Sequence, residues 1–313
     1  MKRQGITGIY CLANDAVLDW IIAFLESLRA FEPERELIII PYSDNIAELS
    51  KLSVRYRFTF LNDHRLRELE QLGAKLIPDD RNRPLPIYRK LAVFWGPFDQ
   101  FLFMDADIIV LGRLDEIFAA YQSANSDFMY FDRDLDMAYR AGAFQKLMIQ
   151  DHSAVGFNAG AFVSSKNTFS FQEFQELAEK ARFVCEDFVN FEQSFLNYCV
   201  DMKGLIKDRY CDLVPSASCS NWAKLTPIAS SEGVYRHFDS KQYGSGRTLL
   251  FIHWAGFKPG PLMPHRKLFL NFRHKDKPRV VRFAYYGLDF IFLFWVLLQA
   301  AGRKVYRSLS QSP

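Results

Sequence analysis

The sequence predicts an α/β fold, a mixed and mostly parallel central sheet flanked by helices, and three observations carry that prediction. Near the N-terminus, residues 6–12 and 37–40 are apolar runs of strand length. Between them Val17, Ile21, Phe24, Leu25 and Leu28 keep helical spacing. Strand, helix, strand is the unit from which parallel sheets are assembled. Further on, residues 101–104 are bulky, apolar and free of polar alternation, the pattern of a strand buried on both faces. Finally, 313 residues with 49% hydrophobic content are enough for a large core.

The remaining elements follow in order. Asn14 or Asp15 is placed to cap the first helix, and Pro41 stops the second strand. Residues 43–70 read as partly helical, 74–77 as a short strand, and 81–86 as a charged, proline-bearing loop. Residues 87–95 read as a helix closed by Gly96 and Pro97, leading directly into the strand at 101–104. After it, 108–111 continue apolar, 116–121 start a helix behind Asp115, and 128–131 form another strand. Asp132, Asp134 and Asp136 alternate, but Arg133 and Arg140 stand close and no glycine turn follows, so this is read as a solvated loop. Gly156-Phe157-Asn158-Ala159-Gly160 places an amide between glycines, which let backbone approach a ligand closely, and a strand follows. Residues 186–200 read as an amphipathic helix whose Glu192, Gln193 and Asn197 face solvent. Leu213 and Val214 read as a strand, 215–247 as loop-rich, and 249–252 as the last core strand.

The chemistry concentrates at strand ends. Asp105 and Asp107 follow the buried run at 101–104, and residues i and i+2 of an extended segment point to the same side. Two carboxylates on one side repel unless a cation or a proton separates them. A hard divalent ion with a nucleotide diphosphate beyond it resolves that conflict. His253 follows the last core strand as Asp105 follows the central one, and an imidazole completes a two-carboxylate site for manganese. Beyond it, Gly256 lets backbone near a phosphate and Lys258 offers a point positive charge.

Composition excludes other classes. A formal charge of +3 gives no global signal for nucleic acid, and Gly-x-Gly-x-x-Gly, the dinucleotide fingerprint, is missing. The five cysteines form no Cys-x-x-Cys and are odd in number, so they read as reduced thiols in a cytoplasmic chain. Residues 1–8 lack the apolar core of a secretory signal.

At this point the chain resembles the family-8 glycosyltransferases, the group that includes glycogenin and bacterial lipopolysaccharide galactosyltransferases. The resemblance runs from about Ile6 to Pro259 and rests on six motifs in matching order. These are Leu12-Ala13-Asn14-Asp15, Tyr88-Arg89-Lys90-Leu91, Asp105-Ala106-Asp107, Asn158-Ala159-Gly160, Glu192-Gln193-Ser194-Phe195-Leu196-Asn197 and the segment from His253 to Pro259. It implies a GT-A fold over residues 1–270 and retaining transfer of a sugar from a nucleotide donor, commonly UDP-linked, to a glycan or lipid-linked acceptor. By the same resemblance Asp105, Asp107 and His253 hold Mn2+ (or Mg2+), with Ala106 between the two acids. Leu12, Ala13 and Asn14 face base and ribose. Lys90, Lys258 and Gly256 meet diphosphate or sugar, and Asn158, Ala159 and Gln193 lie beside the transferred sugar. Glu192, Gln193 and Lys258 are the catalytic candidates. Two departures mark a divergent branch. Only Phe257 separates Gly256 from Lys258, where the family usually has two residues, and Glu192 stands where the family usually has aspartate.

Competing classes lack their signatures. A sugar-nucleotide pyrophosphorylase wants a glycine-rich basic N-terminal loop, which Gly5 and Gly8 do not make. A phosphatase using Asp-x-Asp wants a hydroxyl residue soon after the second acid, and Ile108-Ile109-Val110 offers none. A degenerate transferase that only binds nucleotide is opposed by the presence of all three expected metal ligands. Residues 271–313 form a helical extension with eight Lys/Arg against two Asp, and its segment 283–302 is long and apolar but contains Asp289. The basic flanks lead us to expect a cytoplasmic enzyme docked peripherally on an anionic membrane surface, the inner membrane face, through this extension.

Overall fold

The computed structural model of the chain describes residues 5–76, 84–220, 223, 228–231, 233–237, 246–278, 280 and 287. Its strands, in chain order, are β1 (Thr7–Ala13), β2 (Leu37–Pro41), β3 (Thr59–Phe60), β4 (Gln100–Asp105), β5 (Ile108–Val110) and β6 (Phe128–Tyr130). They continue with β7 (Ala161–Ser165), β8 (Lys207–Arg209), β9 (Ala217–Ser220), β10 (Ile228–Ser231), β11 (Val234–His237) and β12 (Arg247–His253). Seven of them form one sheet in the order β3-β2-β1-β4-β7-β6-β8. The β3-β2-β1-β4 part is parallel, β7 is antiparallel to both β4 and β6, and β8 is parallel to β6. A second sheet runs β10-β11-β12-β5, with β9 pairing β12 in parallel.

The apolar runs become two-sided strands as their composition dictates. In β1, Ile9 and Cys11 enter one core while Tyr10 and Leu12 enter the other; in β4, Leu102 and Met104 oppose Phe101 and Phe103. One core packs under the helix Leu18–Phe31, where Trp20, Phe24 and Leu28 are buried. The other is dominated by rings: Phe162 stacks on Phe103 and Phe128 at centroid distances of 5.2 and 5.1 Å. Asn14 caps the short turn Asp15–Val17 ahead of the first helix, its side chain accepting from Ala16 N at 3.1 Å. Ser170 and Glu173 form a capping box on the helix Phe171–Ala181.

Several local readings are corrected. Residue Ala74 closes the helix Leu66–Ala74 instead of opening a strand, and the short strand lies earlier at β3, where it extends the parallel edge. The first half of the loop expected at 81–86 lies outside the described residues, as does residue 77. Residues 87–95 are helical, in the tighter 3-10 form, over Pro86–Trp95. Leu213 ends a helical turn, Tyr210–Leu213, which directs the chain from β8 toward the second sheet. The region 215–247 contributes β9, β10 and β11 among its described residues. The expected boundary between 270 and 271 falls inside the helix Arg266–Arg273, which packs Phe269 against Trp20 and Trp254. The apolar segment 283–302 lies outside the described residues except for Gly287. Among the described residues no helix is long and apolar enough to cross a membrane.

Candidate active site

The two aspartates sit where the chain leaves one sheet for the other. Asp105 is the last residue of β4, in register with Leu12 at the end of the parallel strand β1. After the two-residue turn of Ala106 and Asp107 the chain enters β5, which pairs antiparallel with β12 and sets His253 opposite Ile108. Asp107 O accepts from Trp254 N at 3.0 Å, which ties this turn to the end of β12. The carboxyl ends of parallel strands are where open α/β sheets bind ligands, and the two residues expected as acids from the sequence are there with the expected imidazole.

Ligand atoms of Asp105, Asp107 and His253 lie within 4.8 Å of one another, and they are the only group of this kind among the described residues. His253 Nε2 is 2.9 Å from Asp107 Oδ1 and 4.0 Å from Asp105 Oδ2. Gly160 borders them: a Cβ there would stand 2.2 Å from His253 Cε1 and 2.9 Å from Asp105 Oδ2. Asp105 N donates to Gly160 O at 2.8 Å, so the glycine is held against the acid by the β4–β7 edge. Two carboxylates and an imidazole are a donor set that suits Mn2+ or Mg2+. Asp132, Asp134 and Asp136 form no such group, and Asp132 is buried instead of solvated.

Charge in the site is interlocked. Lys90 is 1% exposed, and its Nζ lies 3.0 Å from Glu192 Oε1, 3.4 Å from Asp105 Oδ1 and 3.4 Å from Ala159 O. Burial pushes the Asp105 carboxyl up to about 6, against the opposing pull of Lys90. Burial also opposes the charge of Asp107, but His253 outweighs it and the carboxyl lies below the ordinary range. For His253 the balance is the mirror image: burial opposes the imidazolium and Asp107 holds it above its usual value. Burial depresses Lys90, and its two carboxylate partners raise it above a free lysine.

A cavity of about 1120 Å3 opens over this cluster. Its lining includes Leu12, Ala13, Asn14, Asp105, Ala106 and Asp107, together with Gly256, Phe257, Lys258 and Arg273. Asn14 is held in place by Ala16 N and by donating from Nδ2 to Ser43 Oγ at 2.8 Å. The remaining predicted residues lie beside the acids and off the cavity wall. Asn158 Oδ1 accepts from Gly160 N at 2.7 Å, and Gln193 Oε1 accepts from Ala159 N at 3.2 Å. Gln193 Nε2 also donates to Met137 O at 3.0 Å. Gln193 and Asn197 face inward, contrary to the solvent-facing expectation, because they satisfy the backbone of the 157–160 segment that runs past their helix. Lys90 lies beneath the acids and does not line the cavity. Sequence reading did not place Arg273 at this site; only its position in a basic run marked it.

No family model matches the sequence, and no curated protein matches it. Solved structures do match in three dimensions. The galactosyltransferase LgtC, in complex with donor and acceptor sugar analogues, superposes with a TM-score of 0.58 at 16% identity, covering 86% of this chain and 95% of that one. An active-site mutant of LgtC gives 0.59 at 15% identity with the same coverage. The fold is that of the GT-A glycosyltransferases. The bifunctional glycosyltransferase WbbM shares the GT-A fold with a TM-score of 0.56 at 13% identity, over 87% of this chain and 50% of its own length.

Proposed function

We propose that this chain is a metal-dependent hexosyltransferase of the family-8 type. It moves a sugar from a nucleotide-diphosphate donor, UDP-linked by resemblance, to a glycan or lipid-linked acceptor with retention. The observation that carries the reading is the Asp105–Asp107–His253 group, whose two acids line a nucleotide-sized cavity in a GT-A fold. These three residues would hold Mn2+ or Mg2+, which when bound supplies Lewis-acid stabilisation of a leaving diphosphate.

The chain's own residues do the rest. Leu12, Ala13 and Asn14 line the part of the cavity assigned to base and ribose. Lys258 extends a fixed positive charge toward the diphosphate as negative charge grows on it. Lys90 holds the Asp105 and Glu192 side chains in register through its two ion pairs, in place of the direct donor contact the sequence suggested. Gln193 fixes the Asn158-Ala159-Gly160 backbone beside the transferred sugar. A primary amide is a poor nucleophile, so the acceptor hydroxyl attacks from the face the diphosphate leaves, and its proton goes to the departing phosphate. Residues 271–313, with their basic excess, are assigned to docking on an anionic membrane surface at the cytoplasmic face, where a lipid-linked acceptor is presented.

The test is a thermal-shift screen of nucleotide-sugar donors with manganese, followed by donor hydrolysis with and without chelator. A donor that stabilises the protein and is hydrolysed only with metal supports the reading. Donor turnover unaffected by chelator, or no response to any donor, overturns it. Co-sedimentation with anionic vesicles at low salt tests the docking assignment separately.

A further inference from the structure

We infer that Arg273 is a second anion-binding residue of the donor cavity, taking phosphate oxygens of the nucleotide in the cavity that Lys258 also lines. The inference rests on the proposed donor class and adds to it a residue outside every motif that suggested that class.

Arg273 ends the helix Arg266–Arg273 and lines the same cavity as Asp105, Asp107 and Lys258. Its Nε donates to Asp19 Oδ1 at 2.7 Å, and Asp19 also lines the cavity. Among the described residues the two terminal nitrogens of Arg273 have no hydrogen-bond partner, and Lys258 has no ion pair. The guanidinium is therefore tethered at one corner with its outer donors unused. That arrangement suits a phosphate, because a planar fork held in place binds two oxygens with less loss of side-chain freedom than a free lysine. The charge of the lining bears on this too: Asp15, Asp19, Asp105 and Asp107 repel a diphosphate unless cations cover them, and Lys258 and Arg273 are the basic side chains of the same lining, Arg273 offset by Asp19 at its Nε alone.

Packing makes the position stable enough to matter. The helix is anchored by Phe269 against Trp20 at 4.8 Å, and Trp254 Nε1 donates to Pro264 O at 2.7 Å just ahead of it. The wall bearing Arg273 is thus fixed to the same β12 end that carries His253.

The experiment measures binding of UDP, GDP and ADP, and of the matching nucleosides, to the manganese-loaded full chain by calorimetry, for wild type, Arg273→Met and Arg273→Lys. Loss of a charge-assisted contact is expected to weaken the preferred nucleoside diphosphate roughly tenfold in Arg273→Met. The nucleoside should be unaffected and Arg273→Lys intermediate. Equal diphosphate affinity in wild type and Arg273→Met, or an equal loss for nucleoside and diphosphate, overturns the role of Arg273 alone. Failure of the wild type to bind any nucleoside diphosphate overturns the donor reading and this inference together. An unchanged melting temperature for Arg273→Met excludes a folding effect, as expected for a partly exposed ion pair.

Discussion

The Lys90 ammonium donates to the Glu192 carboxylate at 3.0 Å across 102 residues of sequence, inside a site where Lys90 itself is almost sealed from solvent. Asp105 lies on the other side of the same ammonium. Removing the lysine strands two acids in a poorly solvated place. Lys90→Met is expected to cost about 3 kcal/mol, near the low end for a broken buried pair because both acids keep partial exposure. Adding Glu192→Gln should return part of that loss. Urea unfolding of the two single variants and the double variant checks it, and strictly additive losses would contradict the coupling.

Asp107→Asn should leave the fold intact and weaken manganese binding by at least tenfold, since a neutral amide replaces a charged ligand. Electron paramagnetic resonance of free manganese during titration reads this directly. His253→Ala should act in the same direction. Unchanged manganese affinity in both variants would return the cluster to a plain ion pair between Asp107 and His253.

Gly160 is where the smallest change should have a large local effect. A methyl group there meets the His253 ring at 2.2 Å, and that ring is buried and cannot swing aside freely. Gly160→Ala is expected to destabilise by about 1–3 kcal/mol through overpacking. It should also abolish manganese binding while circular dichroism stays native. Retained manganese affinity would mean that the imidazole tolerates displacement.

Asn197 is fully buried and brackets Phe157, accepting from its N at 2.9 Å and donating to its O at 2.9 Å. Asn197→Ala leaves that backbone pair without partners. The expected loss is about 2–3 kcal/mol, accompanied by slower donor turnover because the 157–160 segment loses its brace. Denaturant unfolding and donor hydrolysis measure the two effects, and a stability change near zero would show that the backbone finds other partners.

Asp63 provides a pH test. It accepts from Arg65 N and Nε, both at 2.8 Å, and the Arg65 side chain holds its carboxyl below the ordinary 3.8. A depressed folded-state value contributes stability that is complete above the unfolded value and disappears as pH falls through the folded one. The melting-temperature gap between wild type and Asp63→Asn should therefore be constant near neutral pH and close as the pH drops below about 3.8. A gap that persists at low pH would remove the carboxylate from the explanation.

The parts of the fold legible in the sequence were those whose burial leaves a one-dimensional trace. The runs in β1, β2 and β4 are apolar on both faces, so composition alone identified them. Asp105, Asp107 and His253 were legible because charges at the ends of such runs have few structural uses. Gln193 and Asn197 were misjudged because an amide at helical spacing looks the same whether it meets water or an unpaired backbone group from a distant segment. The short strands β9, β10 and β11 were missed because pairing partners, not side-chain pattern, make them strands. Arg273 was missed because only the packing of its helix on Trp20 brings it to the cavity.

The two-residue turn of Ala106 and Asp107 carries a mechanical consequence. Asp105 belongs to the seven-stranded sheet, while Asp107 and His253 move with β5 and β12 of the other. A cation held by all three side chains would rivet the two sheets across a joint two residues wide, and its binding energy would be added to the work of prying them apart.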